Sequence, residues 1–167
     1  MIVAGTASLT GDNFFPALVQ NLAKALDVSY VVFSERVDNS LQSLRTLALW
    51  FIANLADNIE YDFVGTPCKV VVEDKLLCSY PDNLQELFPT VTLLQHINAE
   101  SYIGVPLLDL NQQVIDNLCI INVKSFHTDE RTKVLLSVFT ARASAELQRK
   151  WAKEEKRHAY QDLEFRV

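Results

Sequence analysis

Apolar positions cluster most densely between Glu100 and Val123. Two β-rich runs, Glu100–Asp109 and Val114–Val123, flank a polar turn of Leu110, Asn111, Gln112 and Gln113, which predicts an antiparallel hairpin. Ile103, Val105 and Leu107 point one way, and Tyr102 and Leu108 the other. In the second arm Ile115, Cys119, Ile121 and Val123 oppose Val114, Leu118 and Ile120. Strands that are apolar on both faces must be covered on both, so the pattern predicts a central hairpin with a layer above and below. Pro106 cannot donate to a ladder and is expected at a bulge or a non-pairing position.

Taken in order, Thr10 is a candidate N-cap, and Phe14, Phe15, Leu18, Val19, Leu22, Ala25 and Leu26 follow helical spacing, predicting an amphipathic helix over 12–26. Pro16 is tolerated there because it falls in the first turns. Val28–Ser34 and Leu44–Ile52 are expected as strands around an Asp38-Asn39-Ser40 turn, the second buried on both faces from Leu47 onward. Asn54–Asp62 is expected as a loop. Short helices are predicted after Thr66-Pro67, after Pro81-Asp82-Asn83, and over Leu93–Ile97, with a short strand in Lys75–Tyr80. Thr128 is a candidate N-cap for a long helix from about Glu130 into the 150s. Its apolar stripe thins beyond Lys150, where the charges mix over Lys153, Glu154, Glu155, Lys156 and Arg157. The prediction is an α+β fold: an antiparallel sheet of five or six strands, the terminal helices on one face, short helices and loops on the other. Residues 1–151 form the domain, and 152–167 extend the last helix.

Composition narrows the function. With 49% hydrophobic residues the chain can bury a sizeable core, and a net charge of −6 argues against nucleic acid, which demands a basic stripe. No apolar run approaches the roughly 18 residues of a membrane span, and Met1–Thr6 lacks the charge and apolar length of a signal peptide, so a cytoplasmic location is expected. Cys68, Cys78 and Cys119 do not suggest a disulfide framework, and the isolated His96, His127 and His158 match no metal spacing.

Five blocks carry a family resemblance: Thr6–Phe15 with Ala17-Leu18-Val19; Asn58–Cys68; Tyr80–Pro89; Ala99–Leu107; and Phe139–Leu147. Together they resemble the GAF domain, the small-molecule sensor module of bacterial histidine kinases, cyclases and phosphodiesterases, over roughly Thr6 to Trp151. The resemblance implies a pocket between the sheet and the irregular middle segment. It places Trp50, Tyr61, Thr66, Cys68, Tyr80, Phe88, Ser101, Tyr102 and Asn122 near that pocket, where the same aromatics equally serve to pack the sheet. Such domains carry glycines in the hairpin turn and just inside its second arm. Here those places hold Gln112 and Asp116, which predicts a turn without positive φ and an acid that either caps a sheet edge or faces the pocket.

Chemistry found elsewhere in the family is weighed residue by residue. Cyclic-nucleotide binders have an Asn-Lys, Phe, Asp-Glu constellation. Asn122, Lys124, Phe126, Asp129 and Glu130 repeat the order with compressed spacing, and a Lys124–Asp129 ion pair would serve to fix a loop. Neither Cys68 nor Cys78 precedes a His, as bilin attachment requires. Cys68 and Cys78 resemble in spacing two cysteines of the free methionine-sulfoxide reductases, but Gln95 and His96 stand where the nucleophile belongs. Cys119 is expected to be a small buried hydrophobe. A Cys68–Cys78 redox switch is a softer option, reduced thiols being the expected cytosolic state. The resemblance therefore implies a non-enzymatic sensor with no cofactor. It would bind a small molecule or partner, form a homodimer through the terminal helices, and drive a kinase- or cyclase-type output domain, as in two-component signalling. The rivals are a ligand-free dimerisation module, a reductase-like enzyme and a cysteine switch.

Overall fold

The computed structural model describes residues 13–37 and 43–165. Thr10, the Asp38–Ser40 turn and the first family block up to Asp12 lie outside them. The first helix, α1 (Phe14–Leu26), buries Phe14, Phe15, Leu18, Val19 and Leu22 along one stripe and has Pro16 in its first turn. Asp27 closes it in the left-handed region at φ 53°, its N–H donating to Ala23 O.

Strands β1 (Tyr30–Arg36) and β2 (Ser43–Phe51) pair antiparallel, and the register slips where Phe33 faces Ala48 and Ser34 faces Thr46, leaving Leu47 bulged. Asn54–Asp62 is not the expected loop. It contains β3 (Asn54–Ala56) and β4 (Glu60–Asp62), which pair with the two ends of β2. Between them Thr46 Oγ1 donates to Asn58 Oδ1 (2.9 Å) and accepts from Ile59 N (2.8 Å), pinning the bend. The remaining elements are α2 (Pro67–Asp74), β5 (Cys78–Tyr80), α3 (Leu84–Leu87), α4 (Thr92–His96), β6 (Ser101–Leu108), β7 (Val114–Asn122) and α5 (Glu130–Phe165).

Among the described residues the sheet has seven strands rather than five or six, in the order β3-β2-β1-β7-β6-β5, with β4 beside β2. The hairpin β6–β7 is interior. β5 flanks β6 only along Tyr102–Gly104, so Pro106 stands where the outer margin of β6 has no strand partner among the described residues. On one face Val31, Phe33, Ala48, Trp50, Ile103, Val105, Leu107, Leu118 and Ile120 pack under α1 and the Leu136, Phe139, Ala143 and Leu147 side of α5. On the other, Leu44, Tyr102 and Cys119 pack against Phe63, Cys68, Val71, Leu84 and Leu94 of the irregular layer. β2 is not buried on both faces as expected: Leu47, at the bulge, is half-buried against the helix-side core, Leu49 is half-buried and Phe51 is exposed.

α5 is fastened to the sheet side at several points. The Arg142 guanidinium lies 5.6 Å from the Phe14 ring centroid, Ser144 Oγ donates to Leu108 O (3.0 Å), and Trp151 Nε1 donates to Glu35 Oε2 (3.3 Å). Its N-cap is Asp129 rather than Thr128: Asp129 Oδ1 accepts from Thr132 N (2.8 Å), while Thr128 Oγ1 bonds Ser79 Oγ (3.1 Å). The hydrogen bonds from Thr132 also hold the Asp129 carboxyl below its usual range. No helix among the described residues is long and apolar enough to cross a membrane.

Candidate functional site

A cavity of about 300 Å³ lies between the sheet and the irregular layer. Val32, Thr46, Tyr102, Cys119 and Ile121 form its floor; Ile59–Cys68 and Thr90–Leu94 supply the walls. The exposed side chains of Asp62, Val64, Thr90, Thr92 and Leu93 surround its mouth. The shape of the walls is set by local sequence. Gly65 takes φ 78°, Thr66 is extended, and Pro67 opens α2 at its first position, so the chain turns sharply from β4 and lays Cys68 over the sheet.

Of the nine pocket residues that the resemblance implied, Tyr61, Thr66, Cys68 and Tyr102 line this cavity. Tyr80 and Phe88, edge to face at 5.2 Å, pack against the same core cluster but stand beside the cavity, Tyr80 with its ring centroid 6.1 Å from that of Tyr102. Three others lie elsewhere. Trp50 faces the helices, since it alternates in phase with Ala48. Ser101 and Asn122 pair across the end of the hairpin: Ser101 Oγ donates to Lys124 O (2.7 Å), and Asn122 Oδ1 accepts from Ser29 Oγ (3.0 Å). Cys119 is a cavity residue that the sequence pattern did not mark. It is buried as expected, but the hairpin register sets it opposite Gly104, two residues on from Tyr102 on the same face.

Cys68, Cys119 and Tyr102 form one polar cluster on the apolar floor. The two sulfurs are 3.3 Å apart. Tyr102 Oη donates to Cys68 Sγ (3.4 Å) and lies 3.2 Å from Cys119 Sγ; Asn117 Nδ2 donates to Cys119 Sγ (3.0 Å). Tyr61 Oη is 3.8 Å from Cys68 Sγ and 3.2 Å from Ser34 Oγ. The Cys119 thiol, helped by the hydroxyls of Tyr102 and Tyr61, brings Cys68 down to about 7 against the opposing effect of burial. Burial, with Cys68 beside it, pushes Cys119 well up. Burial likewise raises Tyr61 and Tyr102, so both remain hydrogen-bond donors at neutral pH. Gly104 leaves room for this cluster: a Cβ there would meet Val71 Cγ2 at 2.4 Å and the Tyr102 hydroxyl at 2.6 Å.

Among the described residues, Asp62, at the mouth, is the only Asp, Glu, Lys or Arg that lines the cavity. Asp129 serves as a helix cap rather than as a partner of Lys124. Cys78 is on β5, its thiol donating to Leu76 O (3.6 Å); the sulfur facing Cys68 is that of Cys119. Gln95 and His96 are exposed on α4, ahead of β6. No group of three or more metal-ligating side chains occurs among the described residues.

Comparison with known proteins agrees with this architecture. The family model described as GAF domain matches residues 11–147. No curated protein matches the chain significantly. Among solved structures, the GAF domain of a phosphoenolpyruvate-protein phosphotransferase from Acinetobacter superposes with a TM-score of 0.72 at 15% identity, covering 92% of each chain. The corresponding domain from Coxiella burnetii gives 0.72 at 14%, again over 92% of each. A type II free methionine-R-sulfoxide reductase from Thermoplasma acidophilum gives 0.63 at 16%, over 83% of this chain and 92% of that one. At these identities the structures speak to the fold, and the family match to membership: the chain belongs to the GAF domain family, a family of sensory and regulatory modules in signalling proteins.

Proposed function

We propose that the chain is a non-catalytic sensor domain whose cavity takes a small, neutral, largely apolar organic molecule. The observation that carries this reading is the open cavity beside Cys68 and Tyr102: a module serving dimerisation alone would fill that space with its own side chains. The walls are mostly aliphatic, with the Tyr61 hydroxyl and the Thr66 oxygen, whose proton goes to Phe63 O, placed to orient a ligand, and no Lys or Arg among the described residues lines it. A phosphate or carboxylate buried there would be uncompensated, which argues against a cyclic nucleotide. Catalysis of the methionine-sulfoxide-reductase kind is disfavoured by the residues ahead of β6, Gln95 and His96, neither of which can act as a thiolate nucleophile.

Transmission would be a population shift. Occupancy biases the irregular layer, the hairpin carries the change, and α1 and α5 pass it to an output domain of kinase or cyclase type. Residues 1–151 would form the sensor and 152–167 the start of the signalling helix, since Trp151 makes the last described side-chain bond from α5 to the sheet. Val134, Val138, Ala141, Ala145, Ala152 and Ala159 are exposed along α5 at near-heptad spacing, which suits a parallel helix pair between two copies.

The test is thermal-shift and native mass-spectrometric screening of the purified chain against neutral aromatic and aliphatic compounds, with cyclic AMP and cyclic GMP as charged comparators. The reading expects neutral ligands to raise the melting midpoint, with the effect lost in Ile121→Phe, which narrows the floor. Stabilisation by the cyclic nucleotides alone would overturn it.

A further inference from the structure

We propose that Cys68 and Cys119 form a peroxide-reactive dithiol in the cavity floor, oxidised by small hydroperoxides to an intramolecular disulfide that ties α2 to β7. The assignment does not depend on the cavity holding a ligand. Three observations carry it. The sulfurs already touch at 3.3 Å, and a disulfide needs about 2.05 Å, so bond formation requires a shift of roughly an ångström. Both sulfurs line a cavity that opens to solvent, giving a small oxidant a route to residues otherwise buried. Around them stand hydrogen-bond donors, Tyr102 Oη and Asn117 Nδ2, in place of the aliphatic lining usual for an inert core thiol.

The reaction balances with the peroxide as sole oxidant. The Cys68 thiolate attacks one peroxide oxygen; the O–O bond breaks, and the departing alkoxide takes up a proton to leave as the alcohol, or as water when the oxidant is hydrogen peroxide. Cys68 now carries a sulfenic acid. Cys119 Sγ attacks Cys68 Sγ, the S–O bond breaks, and the hydroxide leaves as water with the Cys119 proton. Two thiols have lost two electrons and two protons, and the peroxide has become alcohol and water. The polarity of the first step is set by the environment: the thiol pair and two phenols favour the thiolate on Cys68, while Cys119 keeps its proton until the second step.

The experiment treats the reduced, folded chain with hydrogen peroxide, alkylates the remaining thiols, and maps them by peptide mass spectrometry. The expected result is a loss of two mass units, a Cys68–Cys119 cross-linked peptide and a fully alkylated Cys78. Cys78→Ser should cross-link like the parent, and Cys119→Ser should stop at a sulfenic acid on Cys68 that dimedone captures. The oxidation rate of the parent should rise about tenfold between pH 6 and pH 8 and then level off, tracking the thiolate fraction of Cys68. Three alkylatable thiols after peroxide treatment of the parent would overturn the proposal, as would a cross-link that includes Cys78. Because the measurement on the parent needs no variant, a Cys119→Ser protein that fails to fold leaves the test decisive.

Discussion

Gln112 holds φ 62° at the tip of the central hairpin, a left-handed conformation that glycine adopts without strain. Its side chain predicted a turn without positive φ, and the structure overturns that. Asp109 dictates the geometry: its Oδ1 accepts from Asn111 N (2.8 Å) and Gln113 N (2.9 Å), while its carbonyl accepts from Gln112 N (3.1 Å). The turn closes around the carboxylate, and Gln112 takes the conformation that remains. Gln112→Gly should therefore stabilise the domain by about 0.5–1 kcal/mol in urea unfolding, even after the extra freedom that glycine gives the unfolded chain. Asp116, the other departure from the family pattern, neither caps an edge nor faces the cavity. It is buried on the helix side opposite Glu35, with Asn117 N donating to Oδ1 (2.6 Å) and Oδ2 unpartnered among the described residues. Burial, with Glu35 adding to it, pushes this carboxyl well above its usual range against the pull of Asn117 N–H and Lys150. A carboxyl raised on folding favours the folded state below its unfolded pKa and loses that advantage as pH climbs through its folded pKa. Asp116→Asn should raise the unfolding free energy at pH 8 by an amount on the order of 1–3 kcal/mol, seen as a higher melting midpoint. The gap between variant and parent should close as the pH falls to about 4; a gap that widens on acidification would contradict this account.

Elements announced themselves in proportion to their length and to how far one face is buried. α1 and the anchored half of α5 have unbroken helical stripes, and β6 and β7 carry apolar residues on both faces, so all four were legible. β3 and β4 were not. Each has three residues, mostly exposed, and is held by pairing to β2 rather than by a buried face of its own. The site shows the same division. Tyr61, Thr66, Cys68 and Tyr102 sit in blocks that carry the resemblance and line the cavity, whereas Tyr80, Phe88 and Ser101 sit in such blocks and do not. Cys119 was missed because alternation sorts residues within one strand, and only the register Gly104↔Cys119 joins the faces of two. Trp50 failed for a related reason: it is apolar and on a strand, and nothing local told which layer it meets. On α5 the inner and outer faces predict different costs. Phe139→Ala, in the fully packed face, should destabilise by about 3–5 kcal/mol. Ser137→Ala, two residues away, exposed and outside the row offered to a second copy, should stay within roughly 0.5 kcal/mol, as chemical denaturation of the two variants would register.

For the molecule as a whole, the decisive asymmetry is that α5 runs on past the sheet it covers. Its 36 residues span about 54 Å at 1.5 Å per residue. Packing on the sheet side runs through Leu136, Phe139, Ala143 and Leu147 to Trp151, beyond which Ala152, Lys153 and 155–164 are exposed. An isolated helical segment of that length with mixed charges is marginal in water. A second copy would supply what the sheet no longer does. The outward row from Val134 through Ala145 to Ala159 offers small apolar side chains over which two helices can approach closely; beyond Ala145 its spacing widens to seven residues, and Ala152 and Ala159 carry it past the end of the core. The full chain should accordingly sediment as a dimer at micromolar concentration. A chain ending at Ala152 should keep its core, because Trp151 and every helix residue named in the core are retained, and should show near-parental tertiary circular dichroism while associating more weakly. Ala145→Glu should weaken the dimer with little change in that signal, since Ala145 touches solvent rather than the sheet. Two copies of the chain sedimenting independently at high concentration would contradict this account of the projecting half of α5.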